Sequence, residues 1–330
     1  MAEAPHRILV TGAAGFVGRH LLTALRRTFP AARLIAGLHH RPAEGWDAAL
    51  PIDLSDPAAV AATLATAEPD AVVHLGAQAN VAASFRDPLG TFRANLDGSL
   101  HLAEAIRQRG PACRLLFVST GEIYGLSFRR GVPLDEEAPL APANPYAAAK
   151  AAADIALGEM ALRGLSVLRV RPFNHVGPGQ SEGFAVAAFA RQVARIEAGL
   201  QPPVMQVGAL DRWRDFLDVR DVAAAYALLL ARWEALPNGA AVNIASGTAR
   251  RIGDVLQALL DRAGLAVRIE ESAAALRPTD VVSSLGDAGR IRAALGWAPT
   301  IPWEQTLDAV LADWRERIRQ ELEAGAAPPS

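Results

Sequence analysis

The sequence predicts an α/β fold, a doubly wound parallel sheet with a smaller C-terminal lobe interleaved with it. Three observations carry this. Short apolar runs alternate with helical patterns through the first half of the chain. A glycine-rich turn, Gly12 to Gly18, joins the first run to the first helical pattern. Beyond Pro172 the alternation stops and Gly, Pro and polar residues take over, from Asn174 to Gln180.

Taken in order, residues 7–11 form an apolar run closing in Gly12, the signature of a strand buried on both faces. A helix is expected over 15–27, a second strand over 32–37, a third strand ending near Ile52, and a short helix over 57–67. Then come a strand over 71–75, a long helix over 88–109, a strand over 114–119, a helix opening near Tyr146 and a strand over 166–171. Right-handed crossovers follow from that alternation. Past Pro172, strands are expected over 204–207, 215–219 and 241–245, the last returning to the main sheet. Helices are expected over 222–233 and 303–324, with residues 325–330 a frayed tail. The expected division is a dinucleotide-binding part, 1–172 with a returning segment near 215–247, and a substrate-binding lobe, 173–214 with 248–330.

Composition bounds the function. Half of the 330 residues are hydrophobic, enough for a sizeable core and against global disorder. The formal charge of −2 offers no field for nucleic acid or an anionic membrane. One cysteine, Cys113, excludes an intramolecular disulfide framework and a multi-cysteine metal site. The longest apolar run, residues 222–231, is too short to span a bilayer. A soluble, cytoplasmic protein is expected. Lys150 is the one lysine among 33 basic residues, so a chain that takes arginine elsewhere keeps a compact ammonium there.

Gly12-Ala13-Ala14-Gly15-Phe16-Val17-Gly18 lies where a strand turns into a helix. Glycines there permit the tight turn, the approach of backbone to a pyrophosphate and close helix–strand packing, and the helix N-terminus attracts the phosphates. This is a Rossmann-type dinucleotide site, and Gly12, Ala14, Gly15, Phe16 and Val17 are its candidate contacts. The acidic residue that would take a ribose diol is absent after the second strand, which runs into Leu38-His39-His40-Arg41. Arg41 or a neighbouring histidine can accept a 2′-phosphate, so NADP is favoured and NAD tolerated. Asp53 can accept from the adenine amino group, with Leu54, Leu75 and Ala77 beside it as apolar wall.

Tyr146 and Lys150 stand four apart on one helix, hence on one face. The ammonium is expected to lower the phenol pKa and make Tyr146 an acid or base near neutral pH. Thr120, at the carboxyl end of a buried strand, can hydrogen-bond a substrate carbonyl. The scattered His74, His101 and His175 show no ligand spacing, so no metal is expected.

With Gly12, Gly15, Gly18, Asn95, Thr120, Tyr146 and Lys150 in place, the chain resembles the extended short-chain dehydrogenase/reductase superfamily over nearly its whole length. The resemblance implies that Asn95 supports the helix and a proton-relay water behind Lys150. It also implies a homodimer in which residues 88–109 and 146–163 form a four-helix bundle, close-packed through the alanines of 147–156. The run from Arg171 to Gln180 and the segments 207–216, 277–280 and 285–287 look like the reductases of GDP-linked 4-keto-6-deoxymannose. That implies a GDP-sugar substrate with Asn174 on the sugar or diphosphate, and Arg214 and Arg277 clamping the diphosphate in bidentate fashion. The alternative is the related GDP-mannose 4,6-dehydratases, because Glu122 stands where those enzymes hold a proton-moving carboxylate. A nucleotide-binding scaffold without turnover is opposed by the intact Thr120, Tyr146 and Lys150.

Overall fold

The computed structural model describes residues 4–271 and 281–326. In chain order the first half comprises β1 (Arg7–Thr11), α1 (Phe16–Thr28), β2 (Arg33–Leu38), β3 (Ala48–Pro51), α2 (Pro57–Ala67) and β4 (Ala71–His74). It continues with α3 (Val81–Arg86), α4 (Pro88–Phe92), α5 (Gly98–Gln108), β5 (Arg114–Val118), α6 (Pro145–Leu162) and β6 (Val167–Pro172). The second half holds β7 (Asn174–Val176), α7 (Ala185–Glu197), β8 (Val204–Val207), β9 (Trp213–Asp218), α8 (Val219–Ala231) and β10 (Ala241–Ile244). Last come β11 (Ala249–Arg251), α9 (Ile252–Ala263), β12 (Arg268–Glu271), β13 (Ser283–Ser284), α10 (Gly289–Leu295) and α11 (Trp303–Ala326).

Seven strands form one parallel sheet in the order β10-β6-β5-β4-β1-β2-β3. Ile8, Leu9 and Val10 are wholly buried, as strands covered by helices on both faces must be. One face packs under α1 and α8, the other under α2, α5 and α6. The strand order reverses between β1 and β4, and the crevice at their carboxyl ends is where such sheets bind ligands. A second apolar core lies among α7, α9 and α11. There β9 pairs with β7, β11 and β13, while β8 pairs with β12. As expected, 241–244 returns to the main sheet, and Ala288, Ile291 and Trp297 follow it onto the sheet core. No described helix is long and apolar enough to cross a membrane.

Three expectations are corrected. The helix over 88–109 is not continuous: α4 passes into a π-helical turn, Arg93–Asp97, before α5, and the short α3 precedes it. The cause is Asn95, whose side chain is bonded to the backbone of Gln78 and drawn out of the α-helical rhythm. Two 3-10 segments within Gly121–Arg130, meeting at a kink at Gly125, follow β5 where no element was expected. Finally, α8 starts three residues early, at Val219, because Asp218 caps it by accepting from the Arg220 amide. The tail from residue 327 lies outside the described residues.

Candidate active site

The turn after β1 is built for close approach. Gly12 has φ +70°, and a Cβ there would stand 2.8 Å from the Gly76 nitrogen, so the chain leaving β4 presses directly on the turn. A Cβ on Gly18 would meet the Ala13 carbonyl oxygen at 2.3 Å, so the third glycine lets α1 seat against the strand. No side chain caps α1 at Gly15, which leaves its first-turn amides facing the cleft. Behind the turn, Thr11 Oγ1 lies 2.7 Å from His74 Nδ1 and accepts from the Gly76 amide. His74 is wholly buried, and desolvation pushes its pKa down to about 3. It is a neutral strut and no ligand. These features fit a dinucleotide pyrophosphate, with Gly12, Ala14, Gly15, Phe16 and Val17 along its wall.

One cleft of about 1250 Å³ runs from this turn to the C-terminal lobe. Arg41, Asp53 and Leu54 line its outer end, and Leu75 and Ala77 its middle. Asp53 accepts from the amide and hydroxyl of Ser55 through Oδ1, and His39 stands 3.9 Å away.

At the centre stand Thr120, Glu122, Tyr146 and Lys150. Asn144 caps α6 by accepting from the Ala147 amide, and Pro145 occupies the first helical turn, which aims Tyr146 and Lys150 into the cleft. Lys150 is buried; its Nζ donates to the Val118 carbonyl oxygen at 2.6 Å and lies 4.8 Å from the centre of the Phe117 ring. Burial pushes its pKa down to about 8, opposed by the charge of Asp154 one turn on. Asp154 is itself wholly buried, 2.7 Å from Arg169 and 2.8 Å from Arg171.

The expected lowering of the Tyr146 pKa is corrected. Desolvation first, then the Glu122 carboxylate, raise it well above the usual tyrosine range, and the Thr120 hydroxyl only partly offsets them. Asn95 is wholly buried, its Oδ1 accepts from the Gln78 amide at 2.8 Å and its Nδ2 donates to the Gln78 carbonyl at 3.0 Å, which fixes the loop after β4.

On the lobe side, Asn174 and Arg214 line the cleft. Arg214 Nη1 also donates to the carbonyls of Trp213 and Val281. Arg277 lies outside the described residues. Among the described residues no cluster of His, Cys, Asp or Glu could hold a metal.

Sequence reasoning missed one side chain and one pairing. Asn144 donates from Nδ2 to Glu122 at 3.0 Å while its oxygen caps α6; the Asn-Pro pair before a helical pattern was the available signal. Phe16 stacks on His175 with ring centres 6.1 Å apart, tying the dinucleotide turn to the loop after β6. Nothing local announces that pairing.

Comparisons with known proteins bear on the chain as a whole. The GDP-6-deoxy-D-mannose reductase of Pseudomonas aeruginosa is 39% identical over 316 residues, 96% of this chain and 99% of that protein. A GDP-mannose 4,6-dehydratase of Vibrio cholerae is 29% identical over 295 residues, 81% and 78% of the two chains. The solved structure of RMD from Pseudomonas aeruginosa complexed with NADPH superposes with a TM-score of 0.81 at 36% identity, covering 94% of this chain and 98% of that one. Residues 8–245 match the model of the NAD dependent epimerase/dehydratase family, and the chain belongs to it.

Proposed function

We propose that the protein reduces the 4-keto group of GDP-4-dehydro-6-deoxy-D-mannose to give GDP-D-rhamnose, drawing on NADPH and tolerating NADH. The observation that carries this is the grouping of Thr120, Tyr146 and Lys150 along a dinucleotide cleft, in a chain 39% identical along its length to a reductase of that sugar class. When bound, the reduced nicotinamide supplies hydride to carbon 4. Tyr146 gives its proton to the ketone oxygen as that oxygen gains charge, and Thr120 orients the same oxygen by hydrogen bonding. Lys150 neutralises the tyrosinate left behind and holds the nicotinamide ribose. Arg41 takes the 2′-phosphate. Asn174 and Arg214, with Arg277, hold the nucleotide-sugar diphosphate.

The same reading assigns residues 1–172 and 215–247 to the cofactor and 173–214 and 248–330 to the sugar nucleotide. It places the enzyme in the cytoplasm as a homodimer. Along α6, Ala147, Ala149, Ala151 and Ala153 are buried within the chain, whereas Ala148, Ala152 and Ala156, four apart on one face, are only half-buried. Beside them Ile155 and Leu162 stand at 60% and 88% exposure, and α4 adds Leu89 at 70%. Those side chains suit burial against a second copy.

The test is to supply cofactor deuterated at the transferred position and to examine the product by NMR. Deuterium at carbon 4 of a GDP-linked 6-deoxyhexose is the expected result; a product without it refutes the reduction. A dehydratase reading is favoured by one feature, the Glu122 carboxylate in the cleft. It predicts conversion of GDP-mannose to the keto sugar with no net NADPH consumed.

A further inference from the structure

Among the described residues, three side-chain polar atoms are buried without a hydrogen-bond partner in the chain: Ser119 Oγ, Gln180 Oε1 and the Tyr226 hydroxyl. All three residues line the same cleft. Tyr226 is the bulkiest of them and is wholly buried. Its ring belongs to the apolar core that includes Val222, Leu229, Leu230 and Val242, where a phenylalanine would pack as well and leave nothing polar unpaired. Tyr124 shows how the same chain treats a tyrosine that is purely structural. It too is wholly buried but does not line the cleft, and its hydroxyl donates to Asn243 Oδ1 at 2.7 Å and accepts from Arg171 Nη1 at 3.0 Å.

The place of the Tyr226 hydroxyl follows from α8. That helix starts at the cleft: a Cβ on Gly177 would press on Val219 and stand 3.8 Å from Phe16 Cζ, so Val219 lies beside the dinucleotide turn. Tyr226 comes two turns later, and helical side chains lean back toward their own N-terminus. The ring therefore rises through the core beneath α1 and α8 and carries its hydroxyl to the cleft floor. Tyr146 enters from α6, on the opposite face of the sheet. Two phenols thus meet the carboxyl edge of the sheet from its two faces.

We propose that the Tyr226 hydroxyl binds the carboxamide of the nicotinamide ring, reaching it from the face of the sheet opposite Tyr146. This rests on the dinucleotide reading of the cleft. With Arg41 at the outer end and the pyrophosphate at Gly12–Val17, the remaining half of the cofactor runs inward to Thr120, Tyr146 and Lys150, where Tyr226 also lines the wall. A carboxamide suits a lone phenol, because the hydroxyl can donate to its oxygen or accept from its nitrogen. The contact fixes which way the ring turns its carboxamide, and so which of its faces looks toward the substrate.

The test is Tyr226→Phe, which keeps the ring and removes the oxygen. Dissociation constants are measured by calorimetry for NADPH and for 2′-phospho-ADP-ribose, the same molecule without nicotinamide. NADPH is expected to bind about 10-fold more weakly to the variant, the scale of one buried hydrogen bond, and 2′-phospho-ADP-ribose as it does to wild type. The cofactor-free variant is expected to melt no lower than wild type, since the lost hydroxyl had no partner in the fold.

Unchanged NADPH affinity overturns the proposal. Equal weakening of both ligands overturns it as well, because the effect then lies in the cleft wall and not at the nicotinamide. A cofactor-free variant that melts markedly lower makes Tyr226 a structural residue and has the same consequence. Failure of the wild-type protein to bind either ligand refutes the dinucleotide reading itself, and the proposal falls with it.

Discussion

Lys150 Nζ lies 4.8 Å from the centre of the Phe117 ring and donates to the Val118 carbonyl 2.6 Å away, a buried arrangement made by a compact ammonium rather than a planar guanidinium. Lys150→Arg therefore keeps the charge and loses the site. The expected fall in kcat/KM is about 100-fold or more, on the scale of losing acid–base help. Tyr146→Phe is expected to lower turnover by roughly 10²–10⁴-fold while leaving NADPH affinity, read by fluorescence, near wild type. His74 gives a prediction for stability. Its folded pKa of about 3 lies below the ordinary value of 6.5, so the unfolded chain takes up the proton first as pH falls. The stability it confers is complete above pH 6.5 and is lost progressively toward pH 3, by about 2 kcal/mol at pH 5. His74→Gln, which does not titrate, should flatten that acid limb in urea melts. An acid limb unchanged by the substitution would contradict the neutral-strut role. At this scale the chemistry was legible: one lysine in an arginine-rich chain pointed to Lys150. The upward shift of the Tyr146 pKa was not legible, because it follows from burial first and the Glu122 carboxylate second.

The elements that place those residues are held by short polar devices. Asn144 and Pro145 start α6, and Asp218 starts α8. Where such start signals are local, boundaries can be read from sequence: the 57–67 helix, opened by Asp56 and Pro57, has the expected limits. The π-helical turn at Arg93–Asp97 could not be read, because its cause is a bond between Asn95 and backbone 17 residues earlier. Asn95→Ala strands the part-buried amide and carbonyl of Gln78, and a loss of roughly 1–3 kcal/mol is expected by chemical denaturation. Gly125 marks a second unreadable element. Its φ is +46° and a Cβ there would lie 2.0 Å from the Ala141 carbonyl oxygen, so the 3-10 stretch is folded tightly onto the chain leading to α6. Gly125→Ala should displace that chain and lower soluble yield and activity together, where an ordinary surface Gly→Ala would be neutral.

Across the whole molecule, the sheet's switch point, the glycine turn and the catalytic helix converge on one cleft that continues into the C-terminal lobe. The parallel sheet was legible because its strands are apolar on both faces and its crossovers regular. The lobe was less so: β7, β9, β11 and β13 pair over long separations in sequence and carry no periodic signal. The exposed Ile155 and Leu162, seven residues apart on α6, give the prediction that belongs to this scale. Light scattering at micromolar concentration should report a dimer, and Ile155→Glu with Leu162→Glu should yield a folded monomer; a wild-type monomer refutes the arrangement. The central claim is reduction of a keto sugar, and absorbance of the reduced nicotinamide tests it most directly. NADPH is mixed with the protein and GDP-4-keto-6-deoxymannose, with GDP-mannose alone as the control. Loss of absorbance with the keto sugar and none with GDP-mannose is the predicted result. No loss with the keto sugar, while GDP-mannose is converted to it, would contradict the account and make the protein a dehydratase.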